Sequence, residues 1–499
     1  MTKTIKTEID FGKSKIGKIL LRSTPPVMFA LLIQALYNIV DSFFVGRYSE
    51  DALTALTVIY PLQLVIIALA VGTGVGVNTY MARKYAQGKE EEAKNTAGTG
   101  VLLAVISWAI FALISFLVMR PYASVSAKSA GVIDEAVVYG NIVCAGSLGT
   151  FLEGIFSKVH QARGNMRVPM IAQVVGAVIN IIFDPILISG WGFIPRMGVA
   201  GAAIATVMGQ VASAVITGVK GFHLPPKSNL GKYIKKIYYY GYSSVLMQLL
   251  YTFYIVLLNV ILASFSDAAV TVLGLYYKMQ SFFFIPLLGL QTCVVPVLSF
   301  NYTCGYYGRC KKLMTDSMVI SAIFMVLGVA CFTLIPEQLL RIFSQSADVI
   351  EIGKVAFPLI ALSFMPAAVS FMMPVFFQSI GAGKKSAFLS CLRQVLCLVP
   401  IFWAFSRIGL DYSWLSFPVS EIITVSVGFP MYLATLKKWG VLGKGARVEG
   451  AKNAENATKR AATASGCPIE NNAAIAEGGE DRSESDSENS SEDFARKNI

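Results

Sequence analysis

The chain has 499 residues, 55% of them hydrophobic and only 14% charged, with a mean hydropathy of +0.60 and a formal net charge of +12. A soluble domain carries about 25% charged residues, so this composition excludes an ordinary soluble enzyme or binding module. The apolar residues come in blocks long enough to cross a bilayer, such as 101–119 and 245–265.

In chain order, the blocks predict spans at 23–45, 52–80, 97–119, 135–157, 168–191 and 198–219. After a polar stretch come 238–263, 271–300, 313–335, 352–379, 386–406 and 412–436. The expected fold class is an all-α membrane protein, with twelve transmembrane helices in two six-helix lobes. The first lobe is 1–219, a cytoplasmic link covers 220–237, and the second lobe is 238–439. From 440 onward Ala, Asn, Ser, Glu and Gly dominate, which predicts a disordered cytoplasmic tail. The first block is preceded by Pro25-Pro26 and lacks a small-residue cleavage site, so it reads as a retained helix. Two prolines suit a first helical turn; if the helix starts earlier, near Lys18, they become a kink and a candidate hinge. The eight cysteines lie mostly inside apolar blocks without zinc-site spacing, so they read as small core residues.

Basic residues are unequally shared between the two sides of this layout. The side with both termini carries 27 Lys and Arg, the other side 7. By the positive-inside rule both termini are cytoplasmic, and the expected location is the plasma (inner) membrane. The positive charge is thus explained by topology, and no nucleic-acid partner is expected.

The two halves align at a constant offset of 217. Ala52, Thr54 and Leu56 fall on Ala269, Thr271 and Leu273; Gln63 falls on Gln280 and Gly72 on Gly289. Tyr85-x-x-Gly88 falls on Tyr302-x-x-Gly305, and Gln161-x-x-Gly164 on Gln378-x-x-Gly381. A fixed period marks a true repeat. Six spans per half means that both halves enter the membrane in the same sense, a geometry used for alternating access.

The ionisable residues do not follow the repeat. Asp41 in span 1 and Asp184 in span 5 fall on Leu258 and Ile401, so the shared scaffold does not need them. Acids inside a membrane are costly and are functional candidates. Counted along their helices, Asp41, Asn180, Asp184 and Thr206 all lie roughly 6–17 Å from the outer surface. Asn180 and Asp184 share one helix face, as do Gln34, Tyr37 and Asp41. Two carboxylates with amide and hydroxyl oxygens suit a hard cation such as Na⁺, and a proton is the alternative. Glu153, five residues from Lys158, reads as interfacial. In the second half Lys278 and Glu421 sit at matched depth, which suggests a pair with either a stabilising or a substrate role.

These residues resemble the multidrug and toxic compound extrusion (MATE) family over about 20–438. Tyr37-Asn38-x-x-Asp41-x-x-Phe44-Val45-Gly46 is similar to its first-helix motif, and Asn180-Ile181-Ile182-Phe183-Asp184-Pro185 to its fifth. Gly198 to Thr206 resembles the start of helix 6. Lys278-Met279-Gln280-Ser281 with Ile285-Pro286 resembles helix 8, and Trp414-x-x-Phe417-Pro418-x-x-Glu421 resembles helix 12. The resemblance implies export of cationic or amphiphilic small organic molecules by Na⁺ or H⁺ antiport. It carries the cation-coupling role onto Asp41, Asn180, Asp184 and Thr206. Gln34, Tyr37, Asn38, Lys278, Gln280 and Glu421 are then candidates for the substrate cavity or a structural pair.

Other chemistries fit less well. The stretch Gly381 to Ser386 has Gln378 and Lys385 where a phosphate loop needs Gly and Ser or Thr. His160 and His223 do not form a HExxH motif. The chain is therefore expected to be no enzyme, to need no cofactor, to bind no metal beyond Na⁺ at the coupling site, and to work as a monomer in the bilayer. The alternative kept is a flippase for a lipid-linked sugar or another lipid, since one architecture hosts several functions.

Overall fold

A computed structural model describes residues 10–127, 129–191, 195–344 and 346–442, all within one compact unit. The expected tail from 443 onward lies outside the described residues, as does the unit formed by 468–499. Almost every described residue is helical.

Among the described residues, ten helices are long and apolar enough to cross a membrane, and counting each of two bent pairs as one span brings the number to twelve. In the first half these are α1 (Ile16–Tyr48), α2 (Glu50–Ala86), α3 (Glu90–Ser126), the pair α4 (Ala130–Gly146 and Leu148–Ala162), α5 (Arg167–Ser189) and α6 (Val199–Gly221). In the second half they are α7 (Leu230–Ala263), α8 (Asp267–Thr303), α9 (Tyr307–Leu334), the pair α10 (Ala347–Ala361 and Phe364–Ser379), α11 (Gly383–Ser406) and α12 (Leu410–Lys438). Most run beyond their apolar blocks. α2 has 37 residues, about 55 Å at 1.5 Å per residue, against an apolar bilayer core of about 30 Å. Likewise α7 starts at Leu230, eight residues before the expected 238, because Lys232, Lys235 and Lys236 continue the helix past its apolar part.

The bends fall at equivalent places. α4 turns by 40° at Ser147 and α10 by 46° near Ser363. At the first, the Ser147 hydroxyl donates back to the Cys144 carbonyl (2.7 Å), a local bond that competes with the helical ladder. Hydropathy alone gives each of these as one straight span.

Helix boundaries carry the repeat. Glu50 and Asp267, Ala86 and Thr303, Glu90 and Tyr307, and Ala130 and Ala347 each begin or end matching helices 217 residues apart. The turns agree as well. Ser49 caps α2 by accepting from the Ala52 N–H (3.5 Å), and Ser266 caps α8 by accepting from the Ala269 N–H (3.1 Å). Gly88 and Gly305 (φ 68° and 77°) and Gly164 and Gly381 (φ 82° and 83°) occupy the left-handed region. The glycines that align the halves are thus the ones that end helices.

Two equivalent crossings are among the contacts that join the halves. α2 lies against α7, where a Cβ on Gly76 would come within 2.2 Å of the Ile237 carbonyl and one on Gly72 within 2.3 Å of Val245. α8 lies against α1, where a Cβ on Gly289 would come within 2.8 Å of Met28. Val245 and Met28 are themselves 217 apart, so the two crossings are exchanged copies of one contact. Further bonds between the halves lie at the helix ends on the side of both termini. Arg83 donates to the Ser379 carbonyl (2.8 Å) and lies over the rings of Tyr240 and Tyr302. Arg309 donates to the Phe11 and Ser14 carbonyls (3.0 and 2.6 Å).

Pro25 and Pro26 lie well inside α1, which starts at Ile16. The reading in which they open the helix is therefore corrected; their missing N–H groups fall within the helical ladder.

Candidate cation site and central cavity

α5 packs against both α1 and α6, and this contact assembles the acidic cluster. Asn180 and Asp184 are buried on the face of α5 toward these helices, with Asp41 of α1 and Thr206 of α6 opposite. The Asp41 and Asp184 carboxyl groups lie close enough to interact. The Asn180 amide fits best with its nitrogen donating to Asp184 Oδ2 (3.1 Å) and its oxygen accepting from the Thr206 N–H (3.2 Å). Asp41 Oδ1 is buried without a hydrogen-bond partner among the described residues. Tyr37 and Tyr139 complete the surroundings, and Tyr139 accepts from Gln63 (3.3 Å). A cavity of about 280 Å³ reaches this cluster, lined by Tyr37, Gln63, Asn180 and Thr206. The four residues expected to share a cation site are thus neighbours. The Asn38 side chain lies outside the described residues.

A larger cavity of about 530 Å³ lies between the halves. Gln34, Glu153 and Gln173 line both cavities, so the two adjoin. Gln280 and Glu421 line the larger one. Tyr251, Tyr254, Tyr276, Phe284, Phe371 and Phe417 supply aromatic walls. Nine carboxamides, among them Gln161 and its repeat mate Gln378, make the walls polar without adding charge.

Three expectations are corrected here. Glu421 does not pair with Lys278. Its partner is Arg393 of α11 (Nη1 to Oε1 3.3 Å), and its second oxygen accepts from the Ser370 hydroxyl. Lys278 is exposed and sits beside the Phe343 ring, because its position on α8 turns it away while Tyr276 and Met279 point inward. Glu153 is not interfacial: it lines the cavities and accepts from Ser157 (2.5 Å). Lys158, counted among the loop bases, lines the central cavity and donates to Gln161 (2.9 Å).

Sequence reasoning missed Arg393, although an arginine within the apolar block 386–406 carries the signal that drew attention to Asp41. It lies in a π-helical turn, Leu392–Leu398, and its guanidinium covers the Phe371 ring at 3.7 Å. Such turns recur at functional sites. Tyr139 and Gln63 were missed because nothing local ties them to Asp41.

Curated relatives match most of this chain. The multidrug export protein MepA of Staphylococcus aureus is 24% identical over 415 residues, 80% of this chain and 90% of its own. A FAD transporter of Shewanella oneidensis is 23% identical over 420 residues, 82% and 92% of the two chains. Among solved structures, an outward-facing multidrug resistance MATE transporter of the MOP superfamily superposes with a TM-score of 0.80. It is 24% identical, and the match covers 87% of this chain and all of that one. A MOP superfamily transporter from Pyrococcus furiosus superposes with a TM-score of 0.81 at 23% identity, covering 88% and 99%. The MatE family model matches twice, over residues 26–186 and 243–403, two segments again 217 apart. Matched once in each half and in the register of the repeat, the chain is a multi-pass membrane protein that belongs to the MatE family.

Proposed function

We propose that this protein is a secondary active exporter that moves small amphiphilic organic molecules out of the cell in exchange for Na⁺ or H⁺. The observation that carries the reading is the facing pair Asp41 and Asp184, held by Asn180 and Thr206 beside a cavity that adjoins the central one. Two buried carboxyl groups this near to each other need a positive charge between them. A proton or a Na⁺ ion meets that need, and Asp41 Oδ1 is an acceptor without a partner. Binding the ion in one conformation and releasing it in another couples it to the solute through differential affinity.

The basic asymmetry supports a cytoplasmic position for both termini. In that orientation the bonds that Arg83 and Arg309 make between the halves lie on the cytoplasmic side. Single cysteines at Ser49 and Ser266 are then expected to react with an impermeant maleimide in intact cells, on a cysteine-free background, and one at Ser228 only after lysis. Reaction at 228 from outside would invert the orientation.

The export reading is tested with purified protein in liposomes loaded to give an outward Na⁺ gradient, an outward H⁺ gradient, or neither, since in an antiporter ion leaving the vesicle carries dye in. Accumulation of a cationic dye at least tenfold above protein-free vesicles under one gradient is the expected result. Dye movement equal in all three conditions would overturn antiport.

A further inference from the structure

An exporter with these two cavities could take solutes of any charge, and the choice among them rests on the export reading. Among the described residues, four acidic or basic side chains line the central cavity: Glu153, Lys158, Arg393 and Glu421. Two acids and two bases cancel, so the walls do not form the purely acidic surface that would select a cation.

We infer that Arg393 is a carboxylate-receiving site of the central cavity, with Glu421 as its resident occupant, and that the solute it serves is an aromatic zwitterion. Arg393 holds Glu421 through a single contact of 3.3 Å, whereas a guanidinium offers carboxylates a two-point fork. Its Nε is buried without a hydrogen-bond partner among the described residues, and so is the oxygen of the adjacent Gln394. Phe371 under the guanidinium fixes its plane. The scaffold does not require the pair, since its repeat mates are Gly176 and Ile204, and a buried ion pair adds little to the stability of a fold.

Charge balance then selects the occupant. A monocation that draws Glu421 toward itself strands Arg393 as an unpaired buried charge. A monoanion on Arg393 strands Glu421. A solute with both groups exchanges one internal pair for two intermolecular ones and strands neither. Tyr254, Tyr276 and Phe417 line the same part of the cavity and give an aromatic ring its contact surface.

Three matched fluorescent probes test this in the purified full chain in nanodiscs, without any gradient. They are Nε-dansyl-lysine (zwitterion), its methyl ester (cation) and its Nα-acetyl derivative (anion). The wild type is expected to bind the zwitterion at least tenfold more tightly than either relative. In Arg393→Gln/Glu421→Gln, which keeps the cavity neutral, the preference should shrink to twofold or less. Glu421→Gln alone frees Arg393 and should tighten the anion at least fivefold, a gain that misfolding cannot produce. No saturable binding of the zwitterion, equal affinity for zwitterion and ester, or no gain with the anion in Glu421→Gln overturns the inference. Because binding is read at equilibrium, such a failure leaves dye export under a gradient unaffected, and a failure of export leaves these affinities standing.

Discussion

Asp184→Asn is expected to reduce gradient-driven export at least hundredfold, to the level of protein-free liposomes, while the protein still inserts and elutes as a single species. Asparagine keeps the size of the side chain and can still accept from Asn180, so the packing of α5 between α1 and α6 is preserved. What disappears is the negative charge that faces Asp41. Without it there is no pair of carboxyl groups to hold Na⁺ or share a proton, and the two conformations no longer differ in ion affinity. A hundredfold loss corresponds to about 2.8 kcal/mol of coupling. Asp41→Asn should act in the same direction. Lys278→Ala is the control: the lysine is exposed and remote from both cavities, so export should stay within twofold of wild type. Retention of full ion-dependent export by Asp184→Asn would move the coupling site elsewhere, with Glu153 the next carboxylate to replace.

Gly76→Val is expected to lower the yield of monodisperse protein at least fivefold. At this crossing the obstacles are backbone atoms: a Cβ at Gly76 would lie 2.2 Å from the Ile237 carbonyl oxygen and 3.1 Å from the Gly241 Cα. A flexible side chain could swing aside, but a facing helix cannot. Small residues at a helix–helix contact in a membrane serve this close approach, and overpacking costs about 1–3 kcal/mol even where the core can adjust. Here α2 and α7 must separate along their length, and the Arg83 contact with Ser379 goes with them. Gly274→Val on α8 is the matched control, since nothing lies within 4 Å of its Cβ position. Detergent-extracted protein analysed by size-exclusion chromatography gives the measurement; equal yields from the two variants would show that the crossing tolerates spacing.

The sequence made the spans and the repeat legible because both are one-dimensional signals. Hydropathy counts residues along the bilayer normal, and the repeat shows in turn residues whose conformations few amino acids tolerate, as at Gly164 and Gly381. Asp41, Asn180, Asp184 and Thr206 were found for the same reason: depth and helical face both follow from position along the chain. Pairing across helices does not. Lys278 and Glu421 agree in depth but not in direction around their helices, and only packing decides direction. Glu153 was misread because the bend at Ser147 tilts the second part of α4, and no hydropathy window registers a bend. Arg393 differs from these, since its signal was present and simply not weighed.

At the exchanged crossings Gly72 meets Val245, and Gly289 meets the equivalent residue Met28. That reciprocity is the defining property of an isologous interface, in which one patch is complementary to itself about a two-fold axis. A half-length chain with this surface would assemble as a homodimer, and every cavity residue would then appear twice, bound to one sequence for two positions. Joining the halves through residues 222–229 releases that bond. Two acids at Asp41 and Asp184 in one half, and a mixed pair at Arg393 and Glu421 in the other, are an asymmetry open to a fused pseudo-dimer and closed to a symmetric one.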